Sequence, residues 1–296
     1  MNSLLKKFIL FIKFDLRLSL NTVKSYENDL SKYVMYLFDK HNINDVNKIT
    51  YNHIRKYISS LTVLNHKPTS INRNISSIKK FHLYLYDNDL SINNPADLIE
   101  SQKIIRDLPD TLTVEEIDLI LGSVIFTTDT GPRDIAILSL LYSSGIRVSE
   151  LVSLEFSNIF LDEDYIKIMG KGKKERLVPI GNKAKNYLIK YINKFRKSGN
   201  LGFNVGNIFL SYRNKPLTRM AVFNIIKKYV KMAGINKKVS PHTFRHSFAT
   251  HMLEGGADLR VVQEILGHEN INTTEIYTHL DRTYLKEIHK LHHPRG

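Results

Sequence analysis

A helix that is apolar on most of its sides survives in water only when other elements wrap it, and residues 132–144 read as such a helix. Pro132 suits its opening turn, Ile135, Ile137, Leu138, Leu140 and Leu141 spread around its circumference, and Gly145 is placed to stop it. That element belongs at the centre of a domain. The 296 residues are enough for two ordinary domains, and 42% hydrophobic residues are enough to fill their cores. The chain has no cysteine, so disulfides and thiolate metal sites are excluded and an intracellular address is favoured.

Upstream of residue 100 helical periodicity recurs four times. The first helix covers roughly residues 3–18, and a second, starting at Asn21 or Ser19, carries Val23, Tyr26, Leu30, Tyr33, Val34 and Leu37. A third follows Thr50 as N-cap, and a fourth runs from Pro68 to about residue 86. Lys6 and Lys7 ahead of the apolar residues 8–12 mimic a signal peptide, but Lys13, Asp15 and Arg17 interrupt the run and no small-residue cleavage site follows. No stretch approaches the roughly 20 apolar residues of a membrane span, so a soluble chain without a membrane partner is expected. Asn93-Asn94-Pro95 and the polar stretch after it set a helical domain at 1–100, a linker at 101–110 and a second domain at 111–296.

The second domain opens on a capping box, Thr113-Val114-Glu115-Glu116, heading a helix to about residue 121. Residues 165–168 and 176–180 read as two strands joined by a glycine-flanked turn, and residues 208–212 are a candidate third strand. Helices are expected at about 182–197 and 218–233, and from Pro241 onward to a last helix from about residue 281. The fold class is therefore mainly α: a four-helix domain followed by a mixed α+β domain with a small antiparallel sheet.

Net charge is +14, and its distribution is informative. Between Glu175 and Glu254 there is no Asp or Glu, against sixteen Lys and Arg; residues 1–106 hold 16 basic and 9 acidic side chains. Solvated surfaces ordinarily mix signs, so a polyanionic partner is implied. The basic residues are spread over several elements and not gathered in one amphipathic helix, which favours nucleic acid over membrane lipid.

Arg147 follows the helix stop Gly145, and Glu150, three residues on, shares its face and is able to hold the guanidinium. Taken alone, that segment reads as a structural ion pair. Pro241 suits a helix start, which puts His242 and Arg245 side by side near its amino end, within reach of one phosphate. His242 and His246 also have the spacing of a helical zinc motif, but Thr243 stands where that motif needs glutamate and no third ligand has a recognisable spacing. His268 follows Gly267 at an apparent helix C-cap. Lys171 lies between two glycines at a hairpin tip with Lys173, Lys174 and Arg176 after it, a basic solvent-facing turn or a mobile proton donor. Tyr277 is one of fifteen tyrosines, and at pH 7 its anion is unfavourable by roughly 4 kcal/mol. Paired guanidiniums offset such a cost by holding a phosphate while charge builds on it. The sequence has no acidic cluster for two magnesium ions and no ATP loop, so a covalent, metal-free route is the economical one.

Together these pieces resemble the tyrosine recombinases of the phage integrase family, and within them the XerC/XerD type. The resemblance rests on residues 140–151, which run Leu-Leu-Tyr-Ser-Ser-Gly-Ile-Arg-Val-Ser-Glu-Leu, on Ser240-Pro241-His242 through Gly267-His268 to Ile276-Tyr277-Thr278-His279, and on residues 20–30. The ending His292-His293-Pro294-Arg295 resembles the XerD branch more than XerC.

The resemblance implies a SAM-like core-binding domain and a catalytic set at Arg147, Lys171, His242, Arg245, His268 and Tyr277, the last a nucleophile that forms a 3′-phosphotyrosine, with Glu150 in support. It implies no metal or cofactor, and duplex DNA and Holliday junctions as partners, clamped between the two domains. It also implies a tetramer of protomers, with a XerC-like recombinase as the hetero-tetramer partner and a septal DNA translocase as activator, in the cytoplasm at the nucleoid. The helix at about 281–292, with Tyr284, Leu285, Ile288 and Leu291 as its stripe, is expected to dock into a neighbouring protomer. Chromosome-dimer resolution at cell division is the implied role; the alternatives are a mobile-element integrase or excisionase, a type IB topoisomerase, and a catalytically silent DNA-binding regulator.

Overall fold

Serine, threonine and proline set the helix starts in the first of two compact units, Met1–Asp107 and Leu108–Gly296. The computed structural model describes residues 1–103, 111–170, 175–196, 206–267 and 282–296, without the side chains of Phe195 and Arg282. In the first unit α1 (Asn2–Phe14) ends four residues earlier than its periodicity suggests. Arg17 takes a positive φ of 48°, and Ser19 must be extended to cap the next helix, so the intervening residues cannot stay helical. The Ser19 hydroxyl then accepts the Thr22 amide at 3.2 Å and opens α2 (Leu20–His41). A short 3-10 turn at Val46–Lys48 precedes α3 (Tyr51–Val63), capped by Thr50 with His53 as the reciprocal partner, and α4 (Pro68–Asp87) starts on its proline. Phe8, Ile12, Leu30, Leu37, Ile54, Ile75, Ile78 and Phe81 meet as one core. Asp29 is buried there and takes a two-point ion pair from Arg73 at 2.7 and 2.9 Å.

In the second unit the Thr113 and Glu116 side chains and amides satisfy one another at 2.8 and 3.2 Å, which starts α5 (Val114–Gly122). The helix expected at the centre is α6 (Gly131–Ser144), and every residue of it except Arg133 is buried. After it come α7 (Val148–Val152), β1 (Ile159–Phe160), β2 (Tyr165–Met169) and β3 (Glu175–Pro179), then α8 (Asn182–Tyr191) with a wider turn at Ile192–Arg196, α9 (Arg219–Met232), α10 (Pro241–Glu254), α11 (Leu259–Leu266) and α12 (Arg282–His292). The sheet is antiparallel in the order β1-β2-β3, with Ile168 opposite Arg176 and Ile166 opposite Val178. Helices α8 and α10 pack on α6. Among the described residues no helix is long and apolar enough to cross a membrane.

The third strand is β1, not residues 208–212. Ile208, Phe209 and Leu210 are all buried, so they lack the alternation of a half-exposed strand, and they make only isolated bridges. The Ile208 amide donates to Leu154, the Leu217 amide to Phe209, and the chain folds back between them. The stripe on α12 also divides. Leu285 is buried and Ile288 packs against the core of its own unit, while Tyr284 and Leu291 are 42% and 74% exposed.

Candidate active site

Gly145 fixes where the chain leaves α6. Its φ of +59° is a left-handed cap, and a Cβ there would lie 2.5 Å from the Phe248 ring and 2.8 Å from Leu266, so no other residue fits. Ile146 is fully buried next to it, which turns Arg147 outward as N-cap of α7. The Arg147 amide donates to one Glu150 oxygen at 2.7 Å and its Nη1 to the other at 3.0 Å. The support expected from Glu150 is present, and the Arg147 side chain keeps 39% of its surface open.

Helix α10 starts on Ser240 and Pro241, and Arg245 on its second turn is buried. Its Nη1 donates to the Gly145 carbonyl at 2.8 Å and its Nη2 to Leu266 at 2.7 Å. His242, one turn earlier, is exposed, as is His246. Among the described residues no group of histidines and carboxylates is placed to hold a metal ion.

A third guanidinium completes the cluster. Arg176 makes a two-pronged pair with Glu150, Nη1 to Oε1 at 2.9 Å and Nη2 to Oε2 at 2.8 Å, while its Nε donates to the Ile265 carbonyl at 3.0 Å. The basic-turn reading placed this residue in solvent, whereas only 11% of its side chain is exposed. Strand alternation carried the missed signal. Arg176 and Val178 share one face of β3 and stand opposite Ile168 and Ile166 of β2, which are both buried, so Arg176 faces inward with them.

The three arginines converge on the end of α11. That helix closes at Gly267, in the left-handed conformation expected of its cap, whose amide donates back to Gln263 and Glu264. The last carbonyls of a helix have no partner within it and carry the negative end of its dipole. Here Ile265, Leu266 and Gly267 each accept one guanidinium: Arg176, Arg245 and, at 3.1 Å, Arg147. Lys171, His268 and Tyr277 lie outside the described residues.

The electrostatics follow from that packing. Burial works against ionisation of Glu150, but the Arg176 pair and the Arg147 donors outweigh it and hold the carboxyl below the usual carboxylate range. Arg245 is pulled down to about 10, first by burial and then by the like charge of Arg147, with Arg176 adding to the effect. It stays cationic at neutral pH. Three guanidiniums against one carboxylate leave two positive charges uncompensated within this group.

The same chain matches the phage integrase family over residues 110–283, and the N-terminal SAM-like domain of phage integrases over residues 5–89. The chain belongs to the phage integrase family.

It is a XerD-like tyrosine recombinase, an enzyme that breaks and rejoins DNA. It is 44% identical to tyrosine recombinase XerD of Chlorobaculum tepidum over 99% of this chain and 96% of that protein. To tyrosine recombinase XerD of Staphylococcus haemolyticus it is 40% identical over the full length of both. Among solved structures the recombinase resembles XerH bound to its difH substrate, with a TM-score of 0.71 at 22% identity over 97% of this chain and 83% of that one, a likeness of fold. It also resembles the XerA recombinase, at 29% identity over 100% and 99% of the two chains and a TM-score of 0.51.

Proposed function

We propose that this recombinase carries out site-specific strand exchange on duplex DNA with Tyr277 as nucleophile, and that it resolves chromosome dimers at cell division. The observation that supports the reading best is the charge imbalance beside Arg147 and Arg245. Among the described residues this group of three guanidiniums and one carboxylate carries two positive charges in excess, which is costly in a buried or half-buried setting unless an anion joins it, and a phosphodiester on its way to a five-coordinate transition state gains a second negative charge. The guanidiniums are already locked by carbonyls, so they need no reorganisation as that charge develops.

In this mechanism Tyr277 Oη attacks the phosphorus and becomes the 3′-phosphotyrosine as the bond to the 5′ oxygen breaks. Lys171 protonates that oxygen, and His242 and His268 assist by hydrogen bonding and proton transfer. The free 5′ hydroxyl of a partner strand then reverses the step, which gives a Holliday junction and, after a second exchange, recombinant duplexes. Four protomers are required, two of them from a XerC-like recombinase, with a septal translocase as activator in the cytoplasm at the nucleoid. The solved relative XerH was captured on its DNA before cleavage, a complex of the kind this reading requires.

A genome-wide binding experiment with Tyr277→Phe protein tests the role. One peak opposite the replication origin is expected; a peak at the ends of a mobile element would make the protein an integrase. A nicked suicide duplex of the recovered site tests the chemistry: wild type becomes covalently attached and Tyr277→Phe does not. Attachment of the Phe variant would falsify the nucleophile assignment.

A further inference from the structure

We propose that Arg176 is a positioning residue of the recombinase, whose charge occupies the Glu150 carboxylate so that the charge of Arg147 stays available to the phosphate. The inference rests on the proposed roles of Arg147 and Arg245. Arg176 is committed to the protein at all three nitrogens, donating to Ile265 and to both oxygens of Glu150, and only 11% of its side chain is exposed. Glu150 in turn accepts two donors from each arginine side of it, Oε1 taking Arg147 Nη1 and Arg176 Nη1, Oε2 taking the Arg147 amide and Arg176 Nη2. A carboxylate shared in this way neutralises one of the two cations. The planar fork of Arg176 matches it at two points, whereas Arg147 reaches it with a single guanidinium nitrogen and stays more open to solvent.

Among the described residues only Arg147 is left to answer that carboxylate once the Arg176 charge is gone. Arg147 then becomes half of a closed ion pair, and its surplus charge is gone. Deleting the carboxylate's charge as well restores the surplus. This predicts that one damaging substitution relieves another, a pattern that bracing of the fold does not give.

The test uses full-length recombinase and a nicked suicide duplex of the site recovered by genomic binding, with single-turnover covalent attachment and duplex affinity as readouts. Arg176→Gln keeps polar contacts but no charge, and its attachment rate should fall about a hundredfold with affinity changed by less than about threefold. Adding Glu150→Gln should recover at least about tenfold of the loss, and Arg176→Lys should stay within about tenfold of wild type. Melting temperature identifies a variant that fails to fold, and Arg176→Met then replaces Arg176→Gln in the same comparison. Wild-type attachment with unimpaired Arg176→Gln, or a double variant no faster than the single one, overturns the proposal while leaving the function standing. A wild-type protein that never attaches overturns both.

Discussion

Arg147 and Gly267 are 120 residues apart in the chain, yet Nη2 of the arginine donates to the glycine carbonyl at 3.1 Å. That bond joins the end of the central helix to the end of α11 at the point where the chain departs toward His268. The cradle is therefore built from backbone carbonyls as much as from side chains, and its geometry depends on how α11 is terminated.

Gly267→Ala tests that dependence. The residue has φ +67°, and a Cβ would stand 3.0 Å from Cδ of Arg176, which Glu150 and Ile265 prevent from yielding. A non-glycine residue in this conformation costs about 1 kcal/mol. Covalent attachment to suicide DNA should drop well beyond what that stability loss explains, with duplex affinity retained; an unchanged rate would mean that the α11 end does not set the arginines.

Arg245→Lys should be far from conservative. One ammonium cannot reach both the Gly145 and Leu266 carbonyls with the planar geometry of the guanidinium. The expected loss in single-turnover cleavage is about 3 kcal/mol of transition-state stabilisation, a hundredfold or more. Cleavage within a factor of five of wild type would remove Arg245 from the proposed phosphate cradle.

Acid should loosen α12. His289 is neutral in its seat, its Nε2–H donates to the Ser143 carbonyl at 2.6 Å, and burial pulls its pKa down to about 4. His293 stacks on it at 4.9 Å and is pushed in the same direction, first by burial and then by His289. Between roughly pH 6.5 and 4 the unfolded chain binds protons that the folded one does not, so stability falls as pH falls, by up to about 3 kcal/mol for His289. Hydrogen exchange of the α12 amides, corrected for intrinsic rates, should quicken over that window in wild type and less so in His289→Gln. Protection that is flat with pH would contradict the assignment.

The α12 stripe should split energetically as it splits structurally. Leu285→Ala removes a buried side chain and is expected to cost about 2–4 kcal/mol in urea unfolding. Leu291→Ala, at a position 74% exposed, should change stability by less than about 0.5 kcal/mol. Equal effects would show that α12 does not pack on its own unit in solution.

Much of the fold could be read from local signals. Ser19, Thr50 and Thr113 cap the helices they were expected to start, Pro241 opens α10, and Gly145 and Gly267 stop theirs, because caps and left-handed turns are decided within about four residues. Residues 208–212 were misread for the converse reason. A short apolar run looks alike whether it lines a sheet or plugs a core, and only its neighbours distinguish the two. The end of α1 was overextended because apolar spacing continues past Phe14 while the backbone turns at Arg17.

The sequence alone determined which elements form and which charged residue types stand at their ends, including Arg147 with Glu150 three residues later. Tertiary structure decided that Arg176 joins them from 26 residues away and Arg245 meets Gly145 from 100, converting a basic hairpin residue into a buried partner. The physical reason is range. Capping and helical spacing act over one turn, whereas the company of a buried charge depends on which carboxylates and carbonyls the folded chain brings within 3 Å of it.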